Sequence, residues 1–165
     1  MADYERLRAQ LVAAWSSARE GVIAELEQFT EEQIARPSAE GGRSPLEIGH
    51  HLAQAGLGMA AHGVGAEGEA GEAAKRELPM PGDKAELLEL LRTSGMEVES
   101  LLSGLPADRL GESIQGLMGE ETSRLSFLHF VIGHEMYHRG QIALIARLTG
   151  LTPVLTQRIA AATGG

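Results

Sequence analysis

From Tyr4 onward, apolar residues recur at steps of three and four through Leu7, Leu11, Trp15, Ala18, Val22, Leu26 and Phe29. This unbroken stripe is the mark of a long amphipathic helix and leaves little room for a strand-based fold. The same period returns three more times. Ser44-Pro45-Leu46-Glu47 joins an N-cap serine, a proline at the first helical position and a glutamate able to reach back, so a second helix is expected from there to about His62. Asp83-Lys84-Ala85-Glu86 repeats the capping pattern, and Leu87, Leu90, Leu91, Val98, Leu101 and Leu102 form a third stripe that Leu105-Pro106 ends. A fourth helix is expected from near Thr122 to Thr149, with Gly150 just past its end and Pro153 beyond. Thr30-Glu31-Glu32-Gln33 predicts a short capped turn after the first helix, before Arg36-Pro37 halts regular structure. No period of two is convincing. The expected fold class is all-α: one domain over residues 1–165, built as a four-helix bundle.

The connections set the helix directions. Gly63 to Gly82 is rich in Gly, Ala and Glu and closes on Pro79 and Pro81, so it is expected to be a flexible linker. Fully extended it would span about 60 Å. Antiparallel neighbours need only a few residues, whereas parallel neighbours need a linker that climbs the bundle, so the second and third helices are expected to run parallel. Asp108 to Glu121, with Gly111, Gly116 and Gly119, is expected to be a loop or a short extended pair.

Composition narrows the chemistry. There is no cysteine, so disulfides, thiolate metal sites and cysteine nucleophiles are excluded, and histidine and carboxylate are left as the strong metal ligands. The net charge of −9, with no basic cluster, argues against nucleic acid as a partner. The N-terminal MADYERLRAQ carries charges where a signal peptide needs an apolar run, and no window of about 18 apolar residues suggests a membrane span. A soluble, cytoplasmic protein is expected.

His134 and His138 lie one turn apart on the fourth helix, about 40° from one another, a spacing that lets two imidazoles grip one ion. Phe127, Phe130, Val131, Gln141, Ile145 and Leu148 share that face, so the pair is expected to point into the bundle. Imidazoles on an apolar face are costly unless something takes their lone pairs, whether a hydrogen bond or a metal. The sequence holds no Asp, Glu or Cys after Glu135 and no His after His138, so a third ligand has to come from upstream. On the second helix, Ile48, Leu52, Ala55 and Met59 define the core face, placing His51 about 60° from its centre and His50 about 160° away. His51 is therefore the candidate third ligand, His50 is expected to face water, and His62 lies at the far end of the helix. His129, about 160° from the paired histidines, is expected on the surface.

His134-Glu135-Met136-Tyr137-His138 also matches the H-E-x-x-H pattern of zinc peptidases. One group of these needs a third histidine where this chain has Leu144 and a glycine where it has Gln141. The other needs a downstream glutamate, and none exists. Peptidase activity is therefore disfavoured. The run His134-Glu135-x-x-His138-Arg139-Gly140-Gln141-Ile142, together with Ser44-Pro45-Leu46-Glu47-Ile48-x-His50-His51-Leu52, resembles the DinB-like (YfiT-like) family of metalloenzymes over almost the whole chain. The resemblance implies an up-down-down-up bundle, frequent homodimers, one divalent metal ion of zinc or nickel, and His51 over His50 as the third ligand. Some members of that family are thiol-dependent transferases or isomerases.

Three neutral imidazoles leave positions open to water or substrate, as a catalytic site requires. With no cysteine in the chain, an activated thiol would have to come from a low-molecular-weight cofactor. Taken with the transferases of the family it resembles, the expected function is thiol S-transfer to a small electrophilic substrate, with metal-dependent hydrolysis and a non-catalytic metal-stabilised bundle as the alternatives. Glu135 and Gln141 are the candidate catalytic residues. Glu135, about 80° from the centre of the histidine face, serves either as a base at the rim or as the partner of a nearby cation. Gln141, in line with both histidines, could orient them or bond substrate. Gly140 suggests a close helix approach, Trp15 a core position, and Tyr137 and Arg139 flank the site.

Overall fold

In the computed structural model, which describes residues 2–164, four long helices carry the four stripes. They are α1 (Ala2–Glu27), α3 (Pro45–Val64), α5 (Lys84–Gly104) and α6 (Arg124–Leu148). A short α2 (Glu31–Ala35) follows α1, α4 (Gly68–Lys75) lies in the crossover, and α7 (Val154–Thr163) ends the described chain. The capping residues act as their chemistry requires. Thr30 and Ser44 each accept from the third amide of their helix, and the side chains of Gln33 and Glu47 return the bond to the cap. At α5 only half of the expected box forms: the Asp83 side chain accepts from the Glu86 amide at 2.8 Å, but the Glu86 carboxylate takes the Gly82 amide instead.

Contacts between helices fix their directions. The Trp15 indole donates to the Gly95 carbonyl at 3.1 Å and Arg8 to the Leu105 carbonyl at 2.9 Å, while Lys84 reaches back to Phe29, so α1 and α5 are antiparallel. Gly49 meets Leu87 at one end of α3 and α5, and Val64 shares a cleft with Leu101 and Gly104 at the other, so this pair is parallel as expected. In α6, Leu128 packs on Gly63 and His134 on His51, antiparallel to α3. The order is up-down-down-up. The core is the meeting of the four stripes: Leu11, Trp15, Val22 and Leu26 of α1 pack with Leu52 and Leu57, with Leu87, Leu91 and Val98, and with Leu128, Val131 and Ile142. Close approach has its own requirement at Gly56, where an added Cβ would fall 2.9 Å from the Arg19 guanidinium and 3.1 Å from the Trp15 ring.

The structure corrects several expectations. The crossover is not a free linker, since α4 lies within it and is packed along α3 with Ala74 and Gly71 buried. Its small residues let it lie flush, and Ala and Gly give no apolar period to read. The His50 ring donates to the Leu78 carbonyl at 2.9 Å and the Leu78 amide to Gln54 Oε1 at 2.6 Å, so His50 faces the crossover and not open water. Between α5 and α6, a 3-10 turn (Ala107–Gly111) leads to the short extended pair, with β1 (Ser113–Gln115) antiparallel to β2 (Glu121–Ser123) and Ile114 opposite Thr122. Phe130 and Leu148, expected on the inner face, are 50% and 67% exposed. Gly140 has no atom within 4 Å of where a Cβ would stand, so it permits no close approach. α7 lies beyond the proline read as an end, and buried Glu25 accepts from the Val154 and Leu155 amides at 2.9 and 3.3 Å to cap it.

Candidate metal centre

α3 and α6 cross so that three rings meet. His51 Nε2 and His134 Nε2 are 3.2 Å apart, as are His134 Nε2 and His138 Nε2. Two imidazole nitrogens each about 2.05 Å from one tetrahedral ion would stand about 3.3 Å apart, so the spacing fits a single ion between them. No carboxylate joins the group among the described residues. Proton sharing satisfies this arrangement poorly, because a proton between two of the rings leaves the third lone pair facing them.

The surroundings keep the rings neutral. Burial holds the His134 ring down to about 4, helped by the charges of His138, His51 and Arg19. His51 and His138 are likewise held below the ordinary imidazole range, chiefly by burial, and the Arg43 charge adds to the effect on both. Gln141 accepts from His138 Nδ1 at 2.6 Å, a bond that puts the ring's proton on Nδ1 and frees Nε2 as a lone-pair donor. His134 Nδ1 is buried and without a partner. The donor set therefore fits a divalent ion of the kind that neutral imidazole binds. His138, 8% exposed, forms the inner edge of a cleft of about 360 Å³ that Tyr137, Gln141 and Arg43 also line.

Glu135 is fully buried, and its Oε1 accepts from Arg19 Nη2 at 2.7 Å. Of its two expected places, the structure gives the one beside a cation. Burial pushes its carboxyl up, and the guanidinium opposes that. A guanidinium does not release its proton in proteins, so Arg19 faces Glu135 as a cation. Arg19 also donates to the Leu52 and Leu91 carbonyls and to Ser94 Oγ at 3.1, 3.3 and 3.2 Å, tying α1 to α3, α5 and α6. Sequence reasoning overlooked Arg19, although its place is readable: it follows Trp15 by four and precedes Val22 by three, inside the core stripe. Arg43 lies in a polar Gly-Gly-Arg run that carries no periodic signal.

The remaining candidates fall as follows. Tyr137 is 64% exposed and meets the His138 ring edge-on at 5.0 Å. Arg139 turns away to Glu25 at 3.6 Å, and Trp15 is core at 1% exposure. Exposed His62 donates to the Gln115 carbonyl and exposed His129 to that of Leu125.

An up-down-down-up bundle in which histidines of the second and fourth long helices converge defines a class: helical proteins with an interior site able to hold a divalent ion. The chain belongs to the DinB superfamily, whose family profile matches residues 6–142. A DinB-like protein from Bacillus cereus has the same fold at 23% identity, with a TM-score of 0.69 over 87% of this chain and 93% of that one. The DinB-like protein YjoA from Bacillus subtilis matches at 20% identity and a TM-score of 0.71, over 87% of this chain and 94% of its own. YfiT from Bacillus subtilis, described as a probable metal-dependent hydrolase with an unusual four-helix bundle topology, matches at 16% identity and a TM-score of 0.66, over 88% and 89%. No curated protein matches the chain. No helix among the described residues is long and apolar enough to cross a membrane.

Proposed function

We propose that the chain is a metal-dependent enzyme that transfers a low-molecular-weight thiol to a small electrophile, with His51, His134 and His138 holding one zinc or nickel ion. When bound, such an ion lowers the pKa of a thiol or a water toward neutrality. The observation that carries thiol over water chemistry is the engagement of Glu135. The one carboxylate beside the histidines is fully buried against Arg19, and no carboxylate lines the cleft. Hydrolysis of the H-E-x-x-H kind uses that glutamate as the base on metal-bound water, and here it is turned to Arg19 and away from the cleft. Transfer of a metal-held thiolate has no use for such a base. In the transfer, an S–C bond forms, the leaving group departs with its electron pair, and the thiol proton passes to solvent.

The chain's own contributions are positional. Gln141 holds His138 in one tautomer, the Arg19–Glu135 pair holds α6 against α1, and the cleft admits substrate from the His138 side. Metal-dependent hydrolysis is the second reading, kept because YfiT is described in those terms. Metal-loaded protein incubated with an electrophile and a panel of small thiols decides between them. The thiol reading predicts a rate that saturates with thiol and disappears with chelator. Turnover that needs metal but no thiol would establish the hydrolase instead.

A further inference from the structure

In a chain with 14 Lys and Arg against 23 Asp and Glu, a basic side chain without an acidic partner stands out. Among the described residues, ten of the 14 form ion pairs. Lys84 donates to the Phe29 carbonyl and Arg147 to the Thr156 hydroxyl. That leaves two exposed arginines: Arg158 on α7, and Arg43, whose charge reaches Glu47 without an ion pair to it and which lines the cleft beside His138.

Gln141 supplies a second donor in the same cleft. Its Oε1 is taken by His138 Nδ1, so the amide is fixed with its NH2 group turned away from that ring, and this group donates to no protein atom among the described residues. A guanidinium and an oriented amide NH2 share the cleft with the Ser38 hydroxyl and with no carboxylate. Ile48, Leu144 and Ile145 supply the apolar part of the wall. One cation with fork geometry matches one planar monoanion, and the apolar wall matches a short hydrocarbon body.

We propose that this cleft binds the carboxylate of a small amphipathic reactant, with Arg43 as the anchor and the Gln141 amide as the second donor. This deepens the enzymatic reading above and rests on it for the reactant's role. The carboxylate belongs either to the thiol or to the electrophile. In both cases it seats the molecule beside the histidines while its apolar part lies on Ile48, Leu144 and Ile145.

Calorimetry on the metal-loaded protein tests the assignment with 3-mercaptopropionate against 2-mercaptoethanol and with butyrate against butyramide. NMR shifts of the Gln141 side-chain amide report where each binds. The acids are expected to bind more tightly than their neutral counterparts and to shift that amide. Arg43→Gln should weaken the acids roughly tenfold and leave the neutral compounds unchanged, with Arg43→Lys falling between. Arg43 dependence limited to the mercapto acid places the carboxylate on the thiol, and equal dependence for butyrate places it on the electrophile. Acids that bind Arg43→Gln as tightly as the parent chain, through the metal or elsewhere, would overturn the proposal even if thiol turnover were intact. Arg43-dependent binding without thiol-dependent turnover would support it and remove the transferase reading instead.

Discussion

Replacing Arg19 with methionine isolates the interaction on which the geometry of the histidine site depends. The guanidinium is 4% exposed and its carboxylate partner not at all. Without it, an ionised Glu135 is left as an unpaired buried charge, and the Leu52 and Leu91 carbonyls lose a donor. Breaking a buried pair from one side costs about 3–5 kcal/mol, mostly the penalty of the charge left behind. At about 2–4 °C per kcal/mol for a chain of this size, Tm should fall by roughly 6–20 °C. Arg19→Met combined with Glu135→Met should recover most of the loss, because apolar side chains of similar volume replace such pairs at little cost. The sign with pH follows from the same burial. With Arg19 gone, only the upward push on the Glu135 carboxyl remains, so the folded state holds the extra proton between the unfolded value near 4.3 and the raised folded one. Stability of the single variant therefore falls as pH climbs through that window, and its deficit shrinks as pH falls back through it, to be smallest below about pH 4. Urea melts followed by circular dichroism in chelator measure all three proteins. A deficit under about 1 kcal/mol, or a double variant no better than the single one, would refute the reasoning.

His51→Ala should abolish tight metal uptake, whereas His50→Ala should leave it intact and only loosen the crossover at Leu78, seen as faster amide exchange there. Equal metal loss from both would mean that α3 is rotated from its described setting. Glu25→Gln should free the first turn of α7, speeding exchange at Val154 and Leu155 at a cost of about 1 kcal/mol; unchanged exchange would show that the cap is idle. Because burial holds all three imidazoles below their ordinary range, His134 to about 4, protons should compete with metal only at acid pH. Affinity should then start to fall only below the ordinary imidazole value, and a steep loss centred on 6.5 would contradict it.

The four long helices and their directions were legible because each carries its own stripe and cap, and because one connection is too long for antiparallel neighbours. His51 could be told from His50 by angle alone, since Ile48 and Leu52 fix the face of α3. What escaped the reading was held by interactions across the bundle. α4 packs through Ala and Gly, which leave no apolar period. α7 has no buried residue and stays in place through Glu25, which lies far off in sequence. The burial of Glu135 depends on an arginine in another helix, so its position on α6 alone left two roles open. Arg43 shows its meaning only in what it lacks, a partner in an ion pair or side-chain hydrogen bond, and of the two cations left without one among the described residues it alone lines the cleft.

Elemental analysis of the purified chain beside its His138→Ala variant bears most directly on the three-histidine centre. The parent should hold about one divalent ion per chain, and the variant should lose it while its circular dichroism remains helical, since His138 caps no helix and its neighbours still fill the core. Full occupancy in the variant, or a parent that takes up no ion when zinc or nickel is offered in excess, would contradict the account.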